Sequence, residues 1–153
     1  MKICFLDNSE IPYTSNDLNS KKIRGGENVI IHLSKELAKL NHTVEVFNNN
    51  SINQILDNVK WSNIDNTNKD NVYDYAFTNN DIRLFNKISA KKYIAFSHSI
   101  QSIEKFIRKG QLLSFLKYKP KVILLGKYHD DNRNFLLKIF GSINLQWAVD
   151  PLF

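Results

Sequence analysis

The sequence predicts an α/β fold: a Rossmann-like, doubly wound, mostly parallel sheet with helices on both faces. Three observations carry that expectation. Short apolar runs alternate with stretches of helical periodicity along the whole chain. The first unit reads strand, helix, strand, an order that requires a parallel crossover. The opening run, Lys2-Ile3-Cys4-Phe5-Leu6, is almost continuously apolar, as befits a strand buried on both sides.

That run ends at Asp7-Asn8-Ser9 and is the first predicted strand. Residues 10–24 then form a polar loop with Pro12 and the cluster Thr14-Ser15-Asn16-Asp17, too long for an ordinary strand-to-helix connection and therefore a candidate functional loop. In residues 29–40, Val29, Ile30, Leu33, Leu37 and Leu40 recur at helical spacing, with Glu27 in the first turn, where the dipole favours it, and Asn41 as the stop. Thr43-Val44-Glu45-Val46-Phe47 is the second strand. The run Asn48-Asn49-Asn50 reads as a solvated turn, after which Ser51 and Gln54 offer a capping box for a short helix bearing Ile52, Ile55, Leu56 and Val59. Residues 61–64 make a short third strand, 73–78 a fourth, and Asn80 caps a helix through Ile82, Phe85 and Ile88. Residues 92–96 are the fifth strand, ending at Ser97-His98-Ser99. Two helices divided at Gly110 follow, then a strand at 122–125, a helix at 129–140 with Phe135, Leu136, Ile139 and Phe140 inward, and a last strand at 143–147.

At 153 residues, 42% hydrophobic and 12% aromatic, the chain is sized and composed for one folded domain. Its formal charge of +6 invites an anionic partner, but no recognised nucleic-acid motif accompanies the charge, so nucleic acid is not expected. The single cysteine, Cys4, permits no internal disulfide, and no ligand cluster suggests a metal. With no signal peptide and no apolar run of spanning length, a cytoplasmic protein is expected. Residues 105–121 interleave Lys105, Arg108, Lys109, Lys117, Lys119 and Lys121 with Phe106, Ile107, Leu112, Leu113, Phe115, Leu116 and Tyr118, a pattern that suits either a helix on an anionic membrane surface or an ordinary core-facing amphipathic helix.

Chemistry is expected where strands end and helices begin. Gly25-Gly26 at a helix start let backbone approach a ligand and leave N–H groups facing it, which is how helix N-termini bind anions; the alternative is that they merely turn the chain. Arg24 beside them could pair with phosphate. His98 stands at the end of a predicted parallel strand, where ligands of open α/β sheets bind.

Several of these segments together resemble the N-terminal domain of GT-B fold glycosyltransferases, most closely the retaining family 4 enzymes. The resemblance rests on Met1 to Asp7, on Gly25-Gly26-Glu27, on Asn41-His42-Thr43-Val44-Glu45-Val46, on Ser97-His98-Ser99, and more loosely on Trp147-Ala148-Val149-Asp150-Pro151-Leu152-Phe153. It implies that residues 1–153 form the acceptor-side domain of an enzyme moving sugar from a nucleotide diphosphate sugar to a saccharide or lipid-linked acceptor. It further implies that Gly25, Gly26 and Arg24 contact donor phosphate, that Asp7, Asn8, Tyr13 and Asn16 contact acceptor, and that His98 takes part in catalysis.

The two-glutamate motif of the donor-binding domain is not in this sequence. The resemblance therefore implies a chain that is inactive alone and works with a separate C-terminal domain, or as a homodimer. No cofactor beyond the donor sugar nucleotide is implied. Two other functions fit the same residues: a non-catalytic Rossmann-like binding or interaction module, and a basic membrane-peripheral protein.

Overall fold

The computed structural model describes residues 1–18, 20, 23–51, 53–98, 100, 102–124 and 126–145. Its centre is an eight-stranded sheet built from β1 (Lys2–Leu6), β2 (Thr43–Asn48), β3 (Gln54–Leu56), β4 (Val59–Asn63), β5 (Val72–Asn79), β6 (Ser89–Ser97), β7 (Lys121–Leu124) and β8 (Ser142–Asn144). Across the sheet the order is β3-β4-β2-β1-β5-β6-β7-β8. Every pair is parallel except β3 with β4. The chain thus runs outward from β1 to β4, returns to β5 on the other side of β1, and proceeds to β8. This is a doubly wound, Rossmann-like sheet, whose order reverses between β1 and β5, the position at which such sheets open a crevice.

Among the described residues five α-helices accompany it: α1 (Gly25–Lys39), α2 (Ile103–Arg108), α3 (Leu112–Tyr118), α4 (Lys127–Asp131) and α5 (Phe135–Phe140). The pleat sorts the strand side chains into two cores. Ile3, Phe5, Val44, Val46, Phe96 and Ile123 share one cluster with Ile30, Ile31 and Ala38 of α1. Cys4, Leu6, Phe47, Ala95, Val122 and Leu124 share the other with Phe106 of α2, Phe115 of α3 and Leu136 and Leu137 of α5. Helices therefore cover both faces, and truncating a fully buried member such as Ile31 to alanine should cost roughly 2–5 kcal/mol. Burial also pushes the Cys4 thiol far up, so it is an inert core residue.

Several local expectations are corrected. The helix predicted from Ile55, Leu56 and Val59 is instead the hairpin β3–β4, because Asp57 and Asn58 both take positive φ (52° and 59°), the geometry of a two-residue hairpin turn. Ile52 lies outside the described residues.

The run Asn48-Asn49-Asn50 is not a solvated turn: Asn48 and Asn50 are buried, and both donate to the Tyr13 carbonyl, at 2.7 and 2.8 Å. Asn49 donates to the Ser9 carbonyl at 2.7 Å, so the run pins the first-strand loop. That loop is not featureless either, since Thr14 and Asp17 form a capping box on a 3-10 turn, Ser15–Asp17.

After β5, Asn80 takes a left-handed φ of 64° and Asp81 becomes the cap of a 3-10 helix, Ile82–Lys87. The helix predicted over 129–140 breaks into α4 and α5, because Asn134 restarts it by accepting from the Leu137 N–H. That break turns Phe135 and Ile139 outward and buries Leu136 and Leu137. Finally α1 begins four residues earlier than its apolar pattern suggests, which brings Gly25 and Gly26 inside its first turn. The segment from Trp147 to Phe153 lies outside the described residues.

Candidate functional site

The pleat carries three polar residues to one spot. On β1, Ile3 and Phe5 face α1, so Asp7 continues that row; on β5, Tyr75 and Phe77 do, so Asn79 follows; on β6, Ile94 and Phe96 do, so His98 follows. Phe5 stacks on Phe77 at 4.8 Å and Phe77 on Phe96 at 5.8 Å, forming an aromatic floor. Asp7, Asn79 and His98 sit one pleat beyond it, at the carboxyl ends of the strands where the sheet order reverses.

The first turn of α1 closes the site from above. A Cβ placed on Gly26 would stand 2.7 Å from Asn79 Nδ2, 3.2 Å from its Oδ1 and 3.3 Å from His98 Nε2. Any side chain at Gly26 would therefore have to push the Asn79 amide aside, where helix and strand end approach most closely. Gly25 has no such neighbour within 4 Å. The N–H groups of this first turn have no partners within the helix, and Arg24, the exposed residue preceding it, makes no side-chain cap.

Asp7 is 2% exposed and its carboxylate is well supplied: Tyr13 donates to Oδ2 at 2.8 Å and the Ser9 N–H to Oδ1 at 3.2 Å. Burial nevertheless holds its carboxyl above the usual range, with the Glu27 charge adding to the rise and the Tyr13 and Asn79 hydrogen bonds opposing it. Glu27, also buried, accepts from Ser9 Oγ at 2.6 Å. Burial pushes His98 below its ordinary value, against the pull of Glu27, so the imidazole is neutral at pH 7. Asn79 Oδ1 accepts from Asn80 Nδ2 at 3.1 Å. Since that oxygen only accepts, His98 Nε2 carries its hydrogen and donates to it at 2.8 Å.

The geometry brings Asp7, Gly26 and His98 together, with Tyr13 bracing Asp7 from within the core at 1% exposure. Asn16 lies exposed on the 3-10 turn, and Asn8 points the other way, donating to Asp81 at 3.1 Å. Asn79, Ser9 and the site role of Glu27 escape the sequence reading. Counting one pleat on from Phe77 would have found Asn79.

Electrostatically, this site carries two carboxylates and a neutral imidazole, with the positive end of α1 already answered by Glu27. It is suited to exchanging hydrogen bonds with hydroxyl groups, and phosphate would have only Arg24 and the helix N–H groups to meet it. Among the described residues no group of three or more His, Cys, Asp or Glu could hold a metal ion, and no helix is long and apolar enough to cross a membrane. Compared with known proteins, the chain matches no family model, no curated protein and no solved structure.

Proposed function

We propose that this domain is the acceptor-side half of a glycosyltransferase, moving a sugar from a nucleotide diphosphate sugar to a saccharide or lipid-linked acceptor. The observation that carries the reading is the convergence of Asp7, Asn79 and His98 beneath the glycine-tight first turn of α1, at the reversal of strand order. Carboxylate, amide and neutral imidazole side chains on an aromatic floor suit sugar hydroxyls. The N–H groups that open α1 beside them would meet the charge of a departing diphosphate. Alone, such a half-cleft binds weakly and does not turn over.

The test is a ¹⁵N NMR titration of the chain with glucose, maltose, UDP-glucose and UMP. Saccharide-dependent shifts at Gly26, Asn79 and His98, with UMP inert, support the reading. Equal or larger shifts with UMP at those residues would favour a nucleotide-binding module without transfer.

A second surface supports the peripheral-membrane reading. Ile107 and Leu113 are 60% and 81% exposed, with Leu116 one turn on from Leu113 on α3 and Lys105, Arg108, Lys109 and Lys117 in or next to the same two helices. Burial, and then the neighbouring charges of Lys109 and Arg108, hold Lys105 below its ordinary value. Exposed apolar side chains on helices that also carry exposed cations suit an anionic lipid surface. Co-sedimentation with phosphatidylglycerol vesicles, absent with phosphatidylcholine and lost in Leu113→Ser, would support it, and equal behaviour on both lipids would remove it.

A further inference from the structure

On the other side of the same strand ends lies an open pocket of about 360 Å³, lined by Asn8, Asn80, Asp81, Arg83, Lys109 and Gln111. That volume falls within the range of small-molecule sites, roughly 300–1,000 Å³. Three separate parts of the chain build it: the end of β1, the turn after β5, and the turn between α2 and α3. Asp81 is its fixed centre. Buried and capping the 3-10 helix, it accepts from Arg83 Nε at 2.9 Å, from Arg83 Nη2 at 2.8 Å and from Asn8 Nδ2 at 3.1 Å. The two-bond pairing orients the guanidinium and leaves Arg83 Nη1 without a hydrogen-bond partner among the described residues.

Gln111, 5% exposed, is held by donating to the Asn80 carbonyl at 3.1 Å and keeps one amide hydrogen in reserve. Lys109 has no carboxylate partner among the described residues. With Arg83 neutralised by Asp81, the lining carries one uncompensated positive charge among three side-chain amides. Paired amides and a braced carboxylate recognise hydroxyls, while the spare lysine and the outward edge of the guanidinium recognise a single anionic group.

We propose that this pocket binds a hydroxyl-rich ligand with one anionic group, a sugar acid or sugar phosphate, that group held between Lys109 and Arg83. The inference goes beyond the transfer reading, because it concerns binding alone and stands if that reading fails. Titration of the intact chain with glucuronate, glucose 6-phosphate, glucose and inorganic phosphate, followed by ¹⁵N NMR at low salt, tests it. At least one charged sugar should shift the Asn80, Lys109 and Gln111 signals and bind about tenfold more tightly than either glucose or phosphate. A preference between the two charged sugars identifies carboxylate or phosphate ester as the natural group.

Lys109→Ala, at an exposed position, should bring the charged sugars down to the level of glucose, and Lys109→Arg should restore them. The glucose-dependent shifts at Gly26 and His98, if present, should survive Lys109→Ala, which separates this pocket from the half-site across the sheet. Equal binding of charged and neutral sugars, indifference to Lys109→Ala, or no shift in the pocket with any of the four probes would overturn the proposal.

Discussion

Asp7 and Asn8 are neighbours in sequence, as are Asn79 and Asn80, yet the members of each pair serve opposite sides of the sheet. Asp7 and Asn79 join Glu27 and His98 on the α1 side, a largely buried cluster with two carboxylates and, among the described residues, no salt bridge to a cation. Asn8 and Asn80 join Arg83, Lys109 and Gln111 on the α2 and α3 side, an open pocket with a spare positive charge. Alternation along the chain leaving β1 separates Asp7 from Asn8, and the left-handed turn at Asn80 takes it out of the Asn79 row. Two polar environments of opposite sign are thus built side by side at one reversal of strand order, hinged on the Asn80-to-Asn79 side-chain hydrogen bond.

The two regions differ in what holds them, and the largest effect should come from the pocket's centre. Asp81→Ala removes the cap of the 3-10 helix and the anchor of Arg83 and Asn8 together. A cap alone is worth about 1 kcal/mol, and the charge-assisted bonds bring the expected loss to about 2–3 kcal/mol in urea unfolding. If the two regions are independent, the His98 signals should stay in position in that variant. Movement of His98 would show that the Asn80 hinge couples them.

Next in size is the contrast between two adjacent glycines. Both have helical backbones, so alanine adds helix propensity at either position. Gly25→Ala meets open space and should stabilise by up to about 1 kcal/mol. Gly26→Ala drives a methyl into the Asn79 amide, which is buried and bonded to His98, and loses about 1–2 kcal/mol relative to Gly25→Ala. Thermal unfolding of the two variants side by side measures the difference; equal stabilities would mean that Asn79 yields without cost.

How much of this was visible in the chain follows from the same geometry. The apolar runs of β1, β2, β5 and β6 and the helical spacing of α1 are local patterns, and local patterns survive into the fold. Asp7 and His98 were legible because they directly follow such runs. The β3–β4 hairpin was not, because Ile55, Leu56 and Val59 also fit a helix, and only the positive φ at Asp57 and Asn58 decides between them. Asn79 hid in an Asn-Asn-Asp stretch that reads as a turn. Arg83 and Lys109 are 26 positions apart, and nothing short of the sheet order brings them to one pocket.

A smaller effect probes what burial does to Asp7. Its folded pKa is raised above the ordinary 3.8, so the folded state holds the proton more firmly than the unfolded one. Stability from this group is therefore present at low pH and lost as pH rises from 3.8 through the raised value. Asp7→Asn should flatten that part of the profile. Its gain at neutral pH should stay within about 1 kcal/mol, because asparagine cannot accept from both Tyr13 and Ser9 as well as the carboxylate does. Urea unfolding from about pH 3 to about pH 8 reads it out, and an unchanged slope would mean that the hydrogen bonds outweigh burial.

The smallest expected effect falls on His98 and tests whether the α1 side is governed by its own charges. Burial lowers its pKa below 6.5 while the Glu27 carboxylate opposes the fall. A base depressed in this way contributes stability above pH 6.5 that is lost as pH falls through the folded value. Glu27→Gln keeps an acceptor for Ser9 and removes only the charge, so the His98 midpoint in an NMR titration should move further down. Lys109→Ala, across the sheet, should leave that midpoint where it is. A shift with Lys109 and none with Glu27 would mean that the two strand-end environments are electrostatically one, and the separation drawn from the pleat would fail.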